Sequence, residues 1–288
     1  MQIRATGRAI TGMLFFILVS IQPYALAAPP AQFEQRVYSV GIVPQFEVKR
    51  LHQIWQPILE QLEQRTGARF RLTGSPTISA FEKEILAGRF DFAYMNPYHI
   101  IQTQQRGNGY LPLVRDVGRD LHGILVVKKG EASHKVDELA GKPVAFPDTN
   151  ALGATLMIKQ ALEDEFNISV DSRYVKTHDS VYLNVALGRV AAGGGVQKTF
   201  DRQSAELRAL LQVIYKTPSV APHPLAVHPR VNRQLAEAVK QALLAMGEET
   251  TGRELLEAIP VEKIGPASLA DYAPLADMNL QRYAVEPR

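Results

Sequence analysis

Three short stretches collect residues able to hold a small solute, and each sits where an apolar run breaks. In "FDFAYMNPYHI" (residues 90–100), Phe90, Phe92 and Tyr94 alternate with Asp91, Ala93 and Met95, so the first half reads as a short buried strand. The chain then turns at Asn96-Pro97, with Tyr94, Tyr98 and His99 close by. Tyr94, Asn96 and Tyr98 offer neutral donors around an apolar wall, the mix found in small-molecule sites. Core packing with the hydroxyls satisfied by backbone also fits them, and it is the reading adopted for Phe90 and Phe92.

The second stretch is "VAFPDTNALGATLMIKQAL". A strand ends at Phe146, Pro147-Asp148 turns the chain, and Thr149 or Asn150 is placed to cap the following helix. Gly153, Ala154 and Thr155 begin that helix with small side chains. A helix start presents unpaired N–H groups and about half a positive charge, which suits an anion that can approach the backbone. A plain N-cap with small residues for packing also accounts for the pattern. The third stretch, "VKTHDSVYLNVAL", sets His178 at the same kind of strand-to-helix junction, with Asp179 or Ser180 as the expected cap. A histidine there can match its protonation to an oxyanion, or simply be a surface residue.

Nothing else in the chain carries a recognisable chemistry. Gly-x-Ser-x-Gly, His-Glu-x-x-His, Walker A and Gly-x-Gly-x-x-Gly patterns are all missing, and the seven histidines form no metal-ligand pair at helical spacing. His178-Asp179 is the one candidate reactive pair, and neighbours at a helix start point apart. The expectation is a non-enzyme without metal or cofactor. With no cysteine, disulfides, thiolate catalysis and a lipidated cysteine anchor are excluded. The formal charge of +3 is spread with mixed signs, which is no footprint for nucleic acid.

These junctions must be positioned by alternating strands and helices. Strand candidates are 37–43, 70–72, 123–129, 144–146, 173–176 and 211–216. Helical stripes run through Leu51, Ile54, Trp55, Ile58, Leu59 and Leu62, with Pro57 predicting a kink and Gly67 a C-cap, and through Val231, Leu235, Val239, Leu243 and Met246. The alternation predicts an α/β fold with largely parallel sheets. "EILAGRFDFA" (84–93) and "NVALGRVAAG" (184–193) echo one another, each a helix end, Gly-Arg and a strand start. The echo suggests two similar lobes, although common α/β grammar also produces it. At the N-terminus, Arg4 and Arg8, the apolar run 9–21 and "ALA" at 25–27 read as a signal peptide over residues 1–27, cut before Ala28. The run is short for a membrane span, so a soluble periplasmic protein is expected.

With these junctions in order, the chain resembles the periplasmic solute-binding proteins of phosphate/phosphite/phosphonate ABC transporters, the phosphonate-binding-protein type with a type II periplasmic binding fold. The likeness runs from about Val37 to Leu256 and rests on "ILAGRFDFAYMNPYHI", "LHGILVVKKGEASHKVDELAGKPVAFPDTNALGAT", "THDSVYLNVALGRVAAG" and "TPSVAPHPLAVHP". It implies two α/β lobes, each a mixed sheet flanked by helices, with a ligand cleft between them. Lobe 1 would comprise residues 36–122 and 223–288 and lobe 2 residues 123–222, with crossovers near 123–127 and 217–226. "PLAVHP" would run back beside "GILVV", and "AYMNPYH" would form the lobe 1 wall.

The resemblance also implies a grip of Tyr94, Asn96 and Tyr98 facing Thr149, Asn150, Gly153, Ala154, Thr155 and His178. The family's Ser-Thr-Ser-Gly reads Asn150-Ala151-Leu152-Gly153 here, leaving backbone N–H groups with Thr149 and Thr155 as nearby hydroxyls. Its Ser-His-Asp reads Thr177-His178-Asp179. A tyrosine before the second helix falls at Ile78, and a carboxylate suited to a ligand amine falls at Ala191. The implied role is a monomer that captures a small oxyanion for a membrane ABC permease. The alternative with the same fold is a sensory subunit that presents its ligand to a membrane histidine kinase.

Overall fold

The computed structural model describes residues 1–2, 36–107, 109–130, 135–259 and 261–285. Apart from residues 1 and 2, the expected signal peptide lies outside the described residues. No described helix is long and apolar enough to cross a membrane.

The first lobe-sized unit begins with β1 (Val37–Ile42), α1 (Val48–Thr66), β2 (Arg69–Thr73), α2 (Ile78–Leu86) and β3 (Phe92–Tyr94). α3 (Pro97–Gln105) and β4 (Leu111–Asp116) follow. The chain then enters a second sheet with β5 (Gly123–Lys128), β6 (Pro143–Phe146), a π-helical turn (Leu152–Leu156), α4 (Met157–Asp164), β7 (Asp171–Tyr174), α5 (His178–Ala186) and β8 (Ala192–Val196). α6 (Gln197–Asp201), α7 (Ala205–Ala209) and β9 (Leu211–Lys216) complete it. The last part, β10 (Leu225–Val227), α8 (Arg233–Glu248), α9 (Thr250–Ala258) and β11 (Ile264–Pro266), returns to the first sheet.

The sheet orders are β11-β4-β10-β3-β1-β2 and β7-β6-β8-β5-β9. In each, a strand-helix-strand-helix-strand unit places its first strand between the other two in parallel, and an antiparallel strand follows: β2-β1-β3 with β10, and β7-β6-β8 with β5. The sequence echo lies at equivalent points of these two units. Gly88 and Gly188 both take φ 66°, each just after a helix end, where a side chain on Cβ would be strained. The next N–H closes the helix in each case, Arg89 N to Glu84 O at 2.9 Å and Arg189 N to Asn184 O at 3.0 Å.

Pro57 does not interrupt α1. The stripe Trp55, Ile58, Leu59 and Leu62 is buried against the first sheet. Several side chains at roughly 2 kcal/mol each outweigh the ~3 kcal/mol cost of an interior proline. Likewise "PLAVHP" does not lie beside "GILVV": β10 pairs with β3 and β4, because both edges of β5 are taken by β8 and β9. Residues 123–128 are therefore a strand, and the chain passes between sheets over 117–122 and again over 217–224. These two passages run side by side, joined by reciprocal backbone bonds between Leu121 and Val220 (2.9 and 3.0 Å) and by Thr217 Oγ1 accepting from Gly123 N at 2.9 Å.

The buried carboxylate Asp91 ties the start of β3 to its surroundings. It accepts from Ser39 N and Oγ (both 2.9 Å), Arg36 (2.6 Å) and Arg230 (2.7 Å). Burial alone would raise its pKa, but these donors hold it below the ordinary carboxylate value.

Candidate functional site

A crevice opens where the carboxyl ends of the central strands of both sheets meet, the place where open α/β sheets take ligands. One small cavity of about 20 Å³ there is lined by Asn96, Gly153, Ala154 and His178, together with Val43, Gln45, Ile78, Leu121, Val196 and His223. It has room for about one water. Admitting a tetrahedral oxyanion therefore requires its two walls to part.

The wall from the second sheet is built by the π-helical turn. The expected side-chain cap is missing: Ala151 precedes the turn and makes no capping bond. Thr149 Oγ1 instead donates to Asp148 Oδ1 (3.1 Å), and Asn150 is engaged elsewhere. The first intrahelical bond is Thr155 N to Ala151 O at 2.8 Å. The N–H groups of Leu152, Gly153 and Ala154 consequently find no acceptor among the described residues, as helix geometry dictates for a first turn. They carry the positive end of a continuous helical segment from Leu152 to Asp164.

Glycines let this turn sit deep. A Cβ on Gly123 would collide with the Gly153 carbonyl oxygen, and one on Gly194 with the Ala154 carbonyl oxygen. A Cβ on Gly193 would meet Val181 at 2.5 Å, and one on Gly195 would run into the Tyr182 hydroxyl. The Gly193-Gly194-Gly195 run is thus a strand whose faces admit backbone and rings at contact distance.

His178 is the first residue of α5, which Thr177 caps by accepting from Ser180 N (3.1 Å), in place of the expected Asp179 or Ser180. Its buried Nδ1 has no partner among the described residues. Burial draws its pKa down to about 4 against the opposing charge of Asp179, so the ring is neutral at pH 7 and offers one donor and one acceptor. Ile78 occupies the equivalent first position of α2, capped by Thr77, and lines the same cavity. A hydroxyl-bearing side chain there would have added a donor.

The first sheet supplies Asn96, which caps α3 by accepting from Tyr98 N (2.9 Å) and donates from Nδ2 to Asn150 O (3.2 Å) across the crevice. Tyr94 stands one step back from the cavity, between Trp55 (5.1 Å between ring centres) and His223 (5.6 Å). Burial raises its phenol pKa, keeping it a neutral hydroxyl.

Tyr98, Thr149, Asn150 and Thr155 are not brought to the cavity. Tyr98 lines a separate groove with Gln102, Arg106 and Val285. Thr155 Oγ1 is spent on Asp148 O (2.6 Å). The Asn150 side chain is saturated: it donates to Glu82 Oε2 (2.6 Å) and Val285 O (2.7 Å), and accepts from Val285 N (2.9 Å).

Two polar residues at the cavity escaped sequence reasoning. Gln45 Nε2 and His223 Nε2 lie 2.9 Å apart. An amide NH₂ only donates, so the His223 Nε2 accepts and the neutral ring carries its proton on Nδ1. Burial, then the nearby Lys198, His99 and His178, holds His223 well below its ordinary pKa. Gln45 follows the break Val43-Pro44 after β1, the same strand-end signal that picked out Asn96 and Thr149. No cluster of potential metal ligands occurs among the described residues.

Comparison with known proteins agrees with this geometry. The sequence model of a family described as ABC transporter, phosphonate, periplasmic substrate-binding protein matches residues 40–272. Among solved structures, a binding-protein component of an ABC phosphonate transporter from Pseudomonas aeruginosa superposes with a TM-score of 0.77 at 16% identity, covering 87% of this chain and 88% of that one. PhnD1 from Prochlorococcus marinus, solved in complex with methylphosphonate, gives a TM-score of 0.77 at 13% identity over 86% and 99% of the two chains. A Xanthomonas citri protein bound to chloride ion gives 0.70 at 15% identity over 86% and 98%. At these identities the structural likenesses establish the two-lobed fold.

Proposed function

This chain belongs to the family of periplasmic substrate-binding proteins of phosphonate ABC transporters, and from that premise we propose that it captures a phosphorus oxyanion of the phosphate, phosphite or phosphonate class between its two sheets. It is a transport component and not an enzyme. Its direct partner is the membrane permease of the transporter, to which the closed, liganded form is delivered. The match to a transport family favours this role over presentation to a sensor kinase.

The observation that carries the ligand reading is the uncapped helix start. Three consecutive N–H groups, those of Leu152, Gly153 and Ala154, border the same cavity as His178, whose Nδ1 has no partner among the described residues. Neutral donors and a helix dipole can replace the hydration of an anion without a fixed countercharge. Asn96 from the first sheet and the Gln45–His223 pair complete the enclosure. We assign lobe 1 to residues 36–122 and 223–288 and lobe 2 to 123–222, because these segments feed separate sheets. Hinge motion falls to the paired passages at 117–122 and 217–224. The chain acts as a monomer, exported by removal of residues 1–27.

The test is calorimetric titration of the purified protein, stripped of carried-over ligand by partial unfolding, with methylphosphonate, phosphite, phosphate and sulfate. Saturable binding of a phosphorus oxyanion with weaker sulfate binding supports capture. No heat with any of the three phosphorus compounds refutes it.

A further inference from the structure

The crevice continues beyond the small cavity. A second cavity of about 200 Å³ shares Gln45, Leu121, Val196 and His223 with it, so the two abut through common walls. Lys198, in the first turn of α6, lines this larger space. Among the described residues its ammonium makes neither an ion pair nor a hydrogen bond.

The carboxylates around the same cavity do not fill that role. Asp116 is buried and accepts from three backbone N–H groups, those of Gly118 (2.9 Å), Glu262 (3.0 Å) and Lys263 (3.1 Å). Asp201 accepts from Gln197 Nε2 at 2.7 Å, and Asp120 lies exposed at the rim. The other cations are placed differently: Arg119 pairs with Glu262 at 3.2 Å, and Lys216 is exposed. A ligand amine would therefore meet carboxylates already engaged or solvated, whereas an anion would meet an amine that makes no ion pair or hydrogen bond among the described residues, with Asp116 as its attracting carboxylate. Desolvation also draws the Lys198 pKa down to about 7 despite the attraction of Asp116, a cost that an arriving anion relieves.

Building on the oxyanion reading above, we propose that this larger cavity is a subsite for a second anionic group. The ligand is then a short bifunctional phosphonate, with its phosphorus end at residues 152–154 and a carboxylate or equivalent anion against Lys198. This departs from a ligand bearing an amine, for which the crevice supplies only the solvated Asp120 at its rim, with Asp116 and Asp201 already hydrogen-bonded.

The experiment compares methylphosphonate, 2-aminoethylphosphonate and 3-phosphonopropionate by calorimetry at pH 7 on the full-length chain. The same titrations are run on K198M and K198R, with thermal unfolding to confirm that each variant folds. A charge-assisted contact predicts that 3-phosphonopropionate binds about 10-fold or more tightly than methylphosphonate. The 2-aminoethyl compound should gain nothing over methylphosphonate. K198M should bring the ratio close to one, and K198R should retain most of it. Methylphosphonate binding without any advantage for 3-phosphonopropionate, or an advantage that survives K198M, overturns the subsite and leaves oxyanion capture standing. Failure of all three phosphonates to bind overturns capture itself, and the subsite with it.

Discussion

Replacing His178 by alanine removes a neutral imidazole whose buried Nδ1 lacks a partner among the described residues, while the amides of Leu152, Gly153 and Ala154 stay in place. If that ring bonds a charged oxygen, its loss should cost about 1.5–3 kcal/mol, or roughly 10- to 100-fold in Kd for methylphosphonate. Unchanged affinity in H178A, by calorimetry, would put the anion elsewhere. At this scale the sequence shows where a chain break lies but not which way a side chain turns. Asn96, Gly153, Ala154 and His178 were legible because strand-end junctions in α/β sheets face the crevice. Asn150 was picked out by the same rule, yet the structure spends it on Glu82 and on the backbone of Val285, 135 residues away. No local pattern announces a partner so distant. Gln45 was accessible to the same rule, applied one strand earlier; His223 lies on a passage between sheets, where no strand end marks it.

Among elements, the π-helical turn and β8 determine one another. Gly194 pairs with Leu125 on β5, and its missing Cβ leaves room for the Ala154 carbonyl and the Phe146 ring, which a Cβ would approach to 2.7 Å. G194A must therefore push the turn away from the sheet. Such overpacking typically costs about 1–3 kcal/mol, and the displacement should also weaken anion binding. Thermal unfolding together with a methylphosphonate titration checks both effects; a variant with wild-type stability and affinity would show that the contact is not needed. Part of the order of strands and helices was readable from periodicity, including the match between Gly88 and Gly188 as helix-ending glycines, whereas short elements such as β4, α6, α7 and β11 carried no such signal. The pairing of β10 was not readable either. Three residues, Leu225–Val227, are too few to reveal a neighbour, and their place depends on which strand edges remain open.

For the molecule as a whole, buried histidines set the response to acid. Burial draws His99 down to about 3 and His178 to about 4, and His223 well below its ordinary value. An unfolded histidine titrates near 6.5, so between about pH 4 and 6.5 the unfolded chain binds more protons than the folded one. Stability is then full above pH 6.5 and falls as pH drops through that window, by up to about 1.4 kcal/mol per pH unit for each such group. His99 separates this effect from ligand binding: both ring nitrogens lack partners among the described residues, and its ring lies 5.9 Å from that of Phe81. H99F should stay folded at pH 7 and lose less stability than wild type between pH 7 and 5. Parallel pH profiles for the two proteins would remove His99 from the account. The two-lobed architecture was expected from the family resemblance, with the strand-helix echo pointing the same way, whereas the pKa of a buried ring depends on tertiary enclosure that no sequence window contains.

Amide-resolved NMR of the ¹⁵N-labelled protein titrated with methylphosphonate reads directly whether the uncapped helix start receives the oxyanion. Saturable shifts are expected at the amides of Leu152, Gly153 and Ala154, larger than those elsewhere in the second sheet. Saturable binding that leaves these three amides unmoved would contradict oxyanion binding at this helix start.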